Sequence, residues 1–134
     1  MLLVDTNVLI DVLEDDPQWA DWSIRQMRAH AKVHELAIND IIYAELSLAF
    51  ERIEELDAAV EALALRVARI PRPALFLAGK AYLQYRRKGG TKANVLPDFL
   101  IGAHAAVEGI GILTREVRRY ASYFPSVSLI APQV

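Results

Sequence analysis

Four carboxylates occupy positions where an acid serves either structure or chemistry. Asp5 directly follows the apolar run Leu2-Leu3-Val4, and Glu45 interrupts the apolar face formed by Ile41, Ile42, Leu46 and Ala49. Asp98 falls in the first turn of a segment opened by Pro97, and Glu116 follows the run Ile110 to Thr114. Gathered in one cleft of low dielectric, four like charges repel strongly unless a cation neutralises them. A hard divalent metal is the natural neutraliser. Magnesium takes oxygen ligands and keeps several waters, so one or two direct carboxylates suffice without His or Cys, and manganese can substitute. Such an ion lowers the pKa of a bound water and stabilises charge on a phosphodiester undergoing in-line displacement. Each acid also has a structural alternative: Asp5 as a helix cap, Asp98 as a complement to the helix dipole, Glu116 as a solvated first-turn acid. Glu45 is the hardest to explain away, because an unpaired carboxylate beside a buried stripe is costly.

The elements that must position these acids can be read from periodicity and punctuation. Leu2-Leu3-Val4 and Leu36-Ala37-Ile38 are short continuous apolar runs, the pattern of strands buried on both faces. Asp5-Thr6-Asn7 caps a helix through Leu13, and Asp16-Pro17 starts a second, reaching about His30 and presenting Trp19, Trp22 and Met27. Asn39-Asp40 caps a third helix, carrying Ile42, Glu45, Leu46 and Ala49 at helical spacing. Ile53 to Leu65 reads as a helix, Val67 to Ile70 as a short strand, and Pro73 to Arg87 as a helix stopped by Lys88-Gly89-Gly90. Pro97 opens a helix through Val107. Ile110 to Thr114 and Val127 to Ile130 read as strands flanking a short helix at Val117 to Tyr123. Four or five apolar strands separated by helices predict a parallel α/β sheet covered on both faces, with the site outside the carboxyl ends of its strands.

Composition bounds the function. The 134 residues are 54% hydrophobic with a formal net charge of -2, which excludes a disordered chain and a uniformly basic nucleic-acid coat. The balance is uneven: Met1 to Val60 holds 13 acids and 4 bases, whereas Glu61 to Val134 holds 4 acids and 11 bases. The chain has 0 cysteines, so disulfides, thiolate metal sites and a catalytic Cys are excluded. Leu2-Leu3-Val4 is too short for a signal h-region and the most apolar stretch, Phe99 to Leu113, is broken by His104 and Glu108. The expectation is a soluble cytoplasmic protein.

Taken in order, Val4-Asp5-Thr6-Asn7-Val8-Leu9-Ile10, Ile41-Ile42-Tyr43-Ala44-Glu45-Leu46, Pro97-Asp98-Phe99-Leu100-Ile101-Gly102-Ala103-His104-Ala105 and Ile112-Leu113-Thr114-Arg115-Glu116 resemble a PIN domain. More narrowly, their order and spacing resemble the VapC ribonuclease toxins of type II toxin-antitoxin systems. The resemblance spans Leu2 to about Ile130 and implies that residues 1–134 form one three-layer α/β/α domain. It implies that Asp5, Glu45 and Asp98 are the acidic triad around magnesium, with Asp5 and Asp98 on the metal, Glu116 in the place of a fourth acid, and Asn7 and Thr114 as polar supports. It also implies a VapB-type antitoxin that blocks the acids with a basic residue, and homodimerisation. Two departures stand out: the fourth acid is usually Asp rather than Glu, which puts a second metal in question, and Asn39 replaces a small hydroxyl residue.

RNA cannot approach four carboxylates without a cationic rim. Arg86, Arg87, Lys88 and Lys92 supply it from one loop and Arg115, with Arg118 and Arg119, from the segment around Glu116; a solvated charged surface is the alternative. Tyr82 and Tyr85 read as packing residues rather than base-stacking ones, His30 and His34 as solvated or helix-end residues without a third ligand, and His104 as packed or bonded locally within its helix. Two other functions remain open: a housekeeping RNA-processing nuclease of the same fold, and a non-catalytic nucleic-acid or protein-binding module.

Overall fold

The structure, a computed structural model, describes residues 1–133. Its strands are β1 (Leu2–Val4), β2 (Leu36–Asn39), β3 (Arg66–Ala68), β4 (Gly111–Leu113) and β5 (Leu129–Ile130). They form one sheet in the order β3-β2-β1-β4-β5, and every pairing is parallel. In the centre, Leu3 pairs with Ala37 on one side and Ile112 on the other. All three residues of β1 are buried although successive side chains point to opposite faces, so the sheet is covered on both. The cover comes from α1 (Thr6–Leu13), α2 (Ala20–Ala31), α3 (Asp40–Leu46), α4 (Ile53–Ala62), α5 (Arg72–Arg87), α6 (Leu96–Glu108) and α7 (Arg118–Tyr123). The predicted α/β class is what the chain adopts, and of the four or five parallel strands expected, five form.

Local chemistry explains the element boundaries. Asp5 and Asn39, each the last polar residue of a strand end, turn the chain into α1 and α3 by accepting backbone N–H groups of the helix start. Gly109 closes α6 with φ 65°, a left-handed cap that glycine adopts without strain. Gly102 lets α6 lie against Phe124, whose ring would come within 2.3 Å of any added Cβ.

Several expectations shift. Asp16 accepts the N–H groups of Gln18 and Trp19, both at 2.9 Å, so it caps a turn and the regular helix begins only at Ala20. After Leu46 the chain tightens into a 3₁₀ turn (Ser47–Ala49), which rotates Ala49 off the buried face and leaves it exposed. β3 is shorter than expected and exposed at Arg66 and Val67 because it is an edge strand. Tyr82 and Tyr85 do pack: with Tyr123 they surround Phe99, at ring-centre separations of 5.0 to 6.0 Å from it.

Candidate active site

β1 and β4 run side by side and parallel, so the residues after them emerge at the same edge. Asp5 is 3% exposed, and its Oδ1 accepts the Thr6 N–H at 2.8 Å. Its Oδ2 accepts the hydroxyls of Thr114 at 2.8 Å and Tyr120 at 2.9 Å and the Asn7 amide at 3.3 Å. The residue is therefore both the cap of α1 and an acid held by four neutral donors. Burial nevertheless raises its pKa from 3.8 to about 6; the bonds from Thr114, Tyr120 and Thr6 oppose the rise and the charge of Asp98 adds to it.

Thr114 is fully used: its hydroxyl donates to Asp5 and accepts from the Asn7 amide at 3.3 Å and the Glu116 N–H at 2.9 Å. Asn7 in turn accepts the Arg115 N–H at 3.0 Å, so these two residues bracket Asp5 between the ends of β1 and β4.

Glu45 reaches the same place from α3. It is half-buried, and its Oε1 accepts the Thr6 hydroxyl at 2.6 Å. Burial raises its pKa, Thr6 opposes the rise, and Asp98 adds to it. Asp98, in the first turn of α6, bonds the Arg119 guanidinium. Its pKa is raised by burial, lowered by Arg119 and raised again by Glu116. Asp98 thus feels or exerts the charge of each other acid, which puts it at the electrostatic centre of the group. Glu116 stands to one side, its Oε1 accepting the Arg119 N–H at 3.2 Å in the first turn of α7.

The structure distributes the predicted basic residues differently. Arg115 is half-buried and already engaged: Nε and Nη2 each donate to Asp11 at 2.8 Å and its guanidinium lies 5.0 Å from the Trp19 ring centre. Asp11 is 2% exposed and also accepts from Ser23 at 2.9 Å, so this is a buried tie between α1, α2 and the segment carrying Thr114. Arg86, Arg87, Lys88 and Lys92 are exposed. Arg86 donates to the Tyr82 hydroxyl at 3.3 Å, Lys88 lies 5.6 Å from the Tyr123 ring centre, and the Lys92 N–H meets the Tyr85 hydroxyl at 3.1 Å. Their loop is thereby packed onto the aromatic group around Phe99, the residue after Asp98.

His104 packs as expected, 1% exposed, but its side-chain bond reaches outside its own helix. Its Nδ1 lies 3.1 Å from the Asn39 amide, which links α6 to the end of β2, and burial lowers its pKa. Among the described residues, no three His, Cys, Asp or Glu side chains already stand close enough together to close on a metal, His30 and His34 included. The donor set nonetheless suits a hard cation: all oxygen, with raised pKa values that positive charge would reverse.

Four contributors have roles here that no sequence signal assigned. Thr6 and Tyr120 act on acids 39 and 115 residues away, and Arg119 acts on one 21 residues away. Asp11 looks like any surface acid until Arg115 covers it.

The PIN domain family model matches residues 2–122. The chain belongs to the PIN domain family. PIN domains are nucleases, and they generally use divalent metal ions. Solved structures share the fold of this PIN domain. VapBC2 from Rickettsia felis bound to a DNA fragment from their promoter is 21% identical with a TM-score of 0.74, the match covering 97% of each chain. DNA-bound VapBC from Salmonella typhimurium is 24% identical with a TM-score of 0.71, covering 97% of this chain and 96% of that one. FitAcB from Neisseria gonorrhoeae is 19% identical with a TM-score of 0.65, covering 96% of each. A search of curated proteins gave no match.

Proposed function

We propose that this PIN domain, residues 1–134, is a magnesium-dependent endoribonuclease and the toxin of a VapBC-type toxin-antitoxin pair. The observation that carries the nuclease reading is geometric, in a chain of this family: Thr6 bonds both Asp5 and Glu45, and the consecutive residues Arg119 and Tyr120 bond Asp98 and Asp5. Asp5 and Asp98 would hold magnesium or manganese, and Glu45, aimed by Thr6, holds the ion or the attacking water. When bound, the ion supplies a water of lowered pKa and stabilises charge on the phosphodiester. Asn7 and Thr114 keep Asp5 in place, and Glu116 assists from beyond the direct ligands. Arg86, Arg87, Lys88 and Lys92 offer phosphate contacts that give affinity rather than sequence choice.

Likeness to solved structures described as VapBC supports a VapB-type antitoxin as partner, and the family resemblance also implies a homodimer. A cytoplasmic setting accords with the absence of cysteine. Among the described residues no helix is long and apolar enough to cross a membrane.

Cleavage of a mixed RNA pool with and without chelator, comparing wild type with folded Asp98→Asn and Asp5→Asn, tests the enzyme. The expected result is magnesium-dependent cleavage lost in both variants; equal rates in all three proteins would overturn the assignment. Growth arrest on induction, abolished by the same substitutions and relieved by a co-purifying small protein, separates a toxin from a housekeeping nuclease. Absence of both divalent-ion binding and cleavage would instead identify a binding module.

A further inference from the structure

The four acids differ in what holds their charge. Asp5 has four neutral donors and Glu45 has the Thr6 hydroxyl, whereas among the described residues the side-chain partner of the Asp98 carboxylate is the guanidinium of Arg119. Asp98 is also the acid at the electrostatic centre of the group. We propose that Arg119 is the site's own counter-cation, an internal competitor that a divalent metal must displace from Asp98. This inference rests on the metal-binding reading of the same site.

Two of the three arginines around Glu116, Arg115 and Arg119, make opposite kinds of pair. Arg115 grips Asp11 with two nitrogens, stacks over Trp19, and shares an acid that is 2% exposed and also bonded to Ser23. That pair is a fixture, because separating it would strand a buried charge. Arg119 meets Asp98 through Nη1 alone, and the two side chains retain 22% and 25% of their exposure. Water reaches both partners, so parting them costs far less than parting a buried pair.

Release also needs no backbone movement. The Arg119 N–H is fixed by the Glu116 carboxylate at 3.2 Å in the first turn of α7. The long side chain beyond it can leave Asp98 by rotation about its own bonds. A carboxylate engaged by the guanidinium is unavailable to an ion at the same oxygen, so the apparent affinity for metal falls with the fraction of molecules in which Arg119 is docked. Linkage makes the effect reciprocal: metal expels Arg119 by as much as Arg119 weakens metal.

The test is calorimetric titration of the full chain with manganese alone, near neutral pH and without RNA, for wild type, Arg119→Ala, Arg119→Gln and Arg119→Lys. Arg119→Ala and Arg119→Gln are expected to bind manganese more tightly than wild type, by on the order of 5- to 150-fold for a coupling of ordinary size. Arg119→Lys should fall between. Thermal melts supply a second reading: the alanine variant melts lower than wild type without metal and gains more on adding it. Arg119→Gln keeps the polar stem and guards against a fold lost through truncation. If wild type binds manganese and the neutral variants bind it equally or more weakly, the counter-cation role is wrong while the metal reading stands. If neither wild type nor any variant binds it, both fall.

Discussion

The Tyr120 hydroxyl donates to Oδ2 of Asp5 at 2.9 Å, joining α7 to the end of β1 across 115 residues. Tyr120 is itself fully buried, so the bond is made without competition from water. Tyr120→Phe removes this donor and leaves the ring's packing. One of the groups that stabilises ionised Asp5 is then gone, and its pKa rises further. The expected result is a shift of the acid limb of the activity profile to higher pH, with a stability cost of about 2 kcal/mol at neutral pH for a hydrogen bond to a charged group. Activity measured from pH 5 to 8 and urea denaturation check both; an unshifted limb would remove Tyr120 from the site.

The pKa of Asp5, raised from 3.8 to about 6, fixes the sign of a second pH effect. The folded state keeps its proton to higher pH than the unfolded state does. Stability from this group is therefore full below the unfolded value, declines as pH rises from about 4 to about 6, and stays reduced above that. Metal binding runs the other way, since the ion needs the carboxylate, so affinity should fall as pH drops through about 6. Denaturation of wild type and Asp5→Asn without metal should show the variant gaining relative stability across that window. A constant difference would mean that Asp5 titrates elsewhere.

Thr6 tests whether Glu45 works through its orientation. The threonine hydroxyl donates to Glu45 at 2.6 Å, and Thr6→Val keeps the shape while deleting the donor. Loss of an outer partner of a metal-site ligand typically costs ~10–100-fold in affinity or activity. A loss in that range, with melting temperature nearly unchanged, is expected. Activity equal to wild type would confine Thr6 to its place in the first turn of α1.

The visible and the hidden parts of this site separate along physical lines. Asp5 could be read because a single residue follows a strand and starts a helix, and Glu45 because an acid beside a buried stripe needs a reason. Both signals are local. Tyr120, Thr6 and Arg119 act through side-chain contacts that exist only once the strands have taken the order β3-β2-β1-β4-β5, which no periodicity specifies. The same limit accounts for Arg115. Next to Glu116 in a basic segment it reads as part of a substrate rim, and only the packing of α1 against α2 brings Asp11 and Trp19 to it. The starting point of α2 differed because Asp16 supplies a good cap that here serves a turn rather than a helix.

Arg115 and Asp11 carry a stability prediction. Arg115→Met leaves Asp11 buried with the Ser23 hydroxyl as its remaining side-chain donor among the described residues. Removing one partner of a buried pair costs about 3–5 kcal/mol, whereas replacing both with apolar residues is often neutral. Denaturation should therefore show Asp11→Leu combined with Arg115→Met to be less destabilised than Arg115→Met alone. Additive losses would mean that the pair is better solvated than its geometry implies.

The exposed loop yields the last prediction. Arg86, Arg87, Lys88 and Lys92 are exposed, on a loop tied down where the Lys88 ammonium lies 5.6 Å from the Tyr123 ring centre and the Lys92 N–H meets the Tyr85 hydroxyl. If they contact RNA phosphates, each one neutralised lowers affinity alike for all sequences and reduces the slope of log affinity against log salt by about 1. Arg87→Gln is the cleanest single change, because Arg87 lines a depression of about 400 Å³ with Lys80, Gln84 and Tyr123 and touches none of the acids. Binding of RNA to an Asp98→Asn background, which prevents cleavage, should weaken with a shallower salt dependence when Arg87→Gln is added. An unchanged slope would place the RNA path elsewhere on the surface and leave the acid site served by other cations.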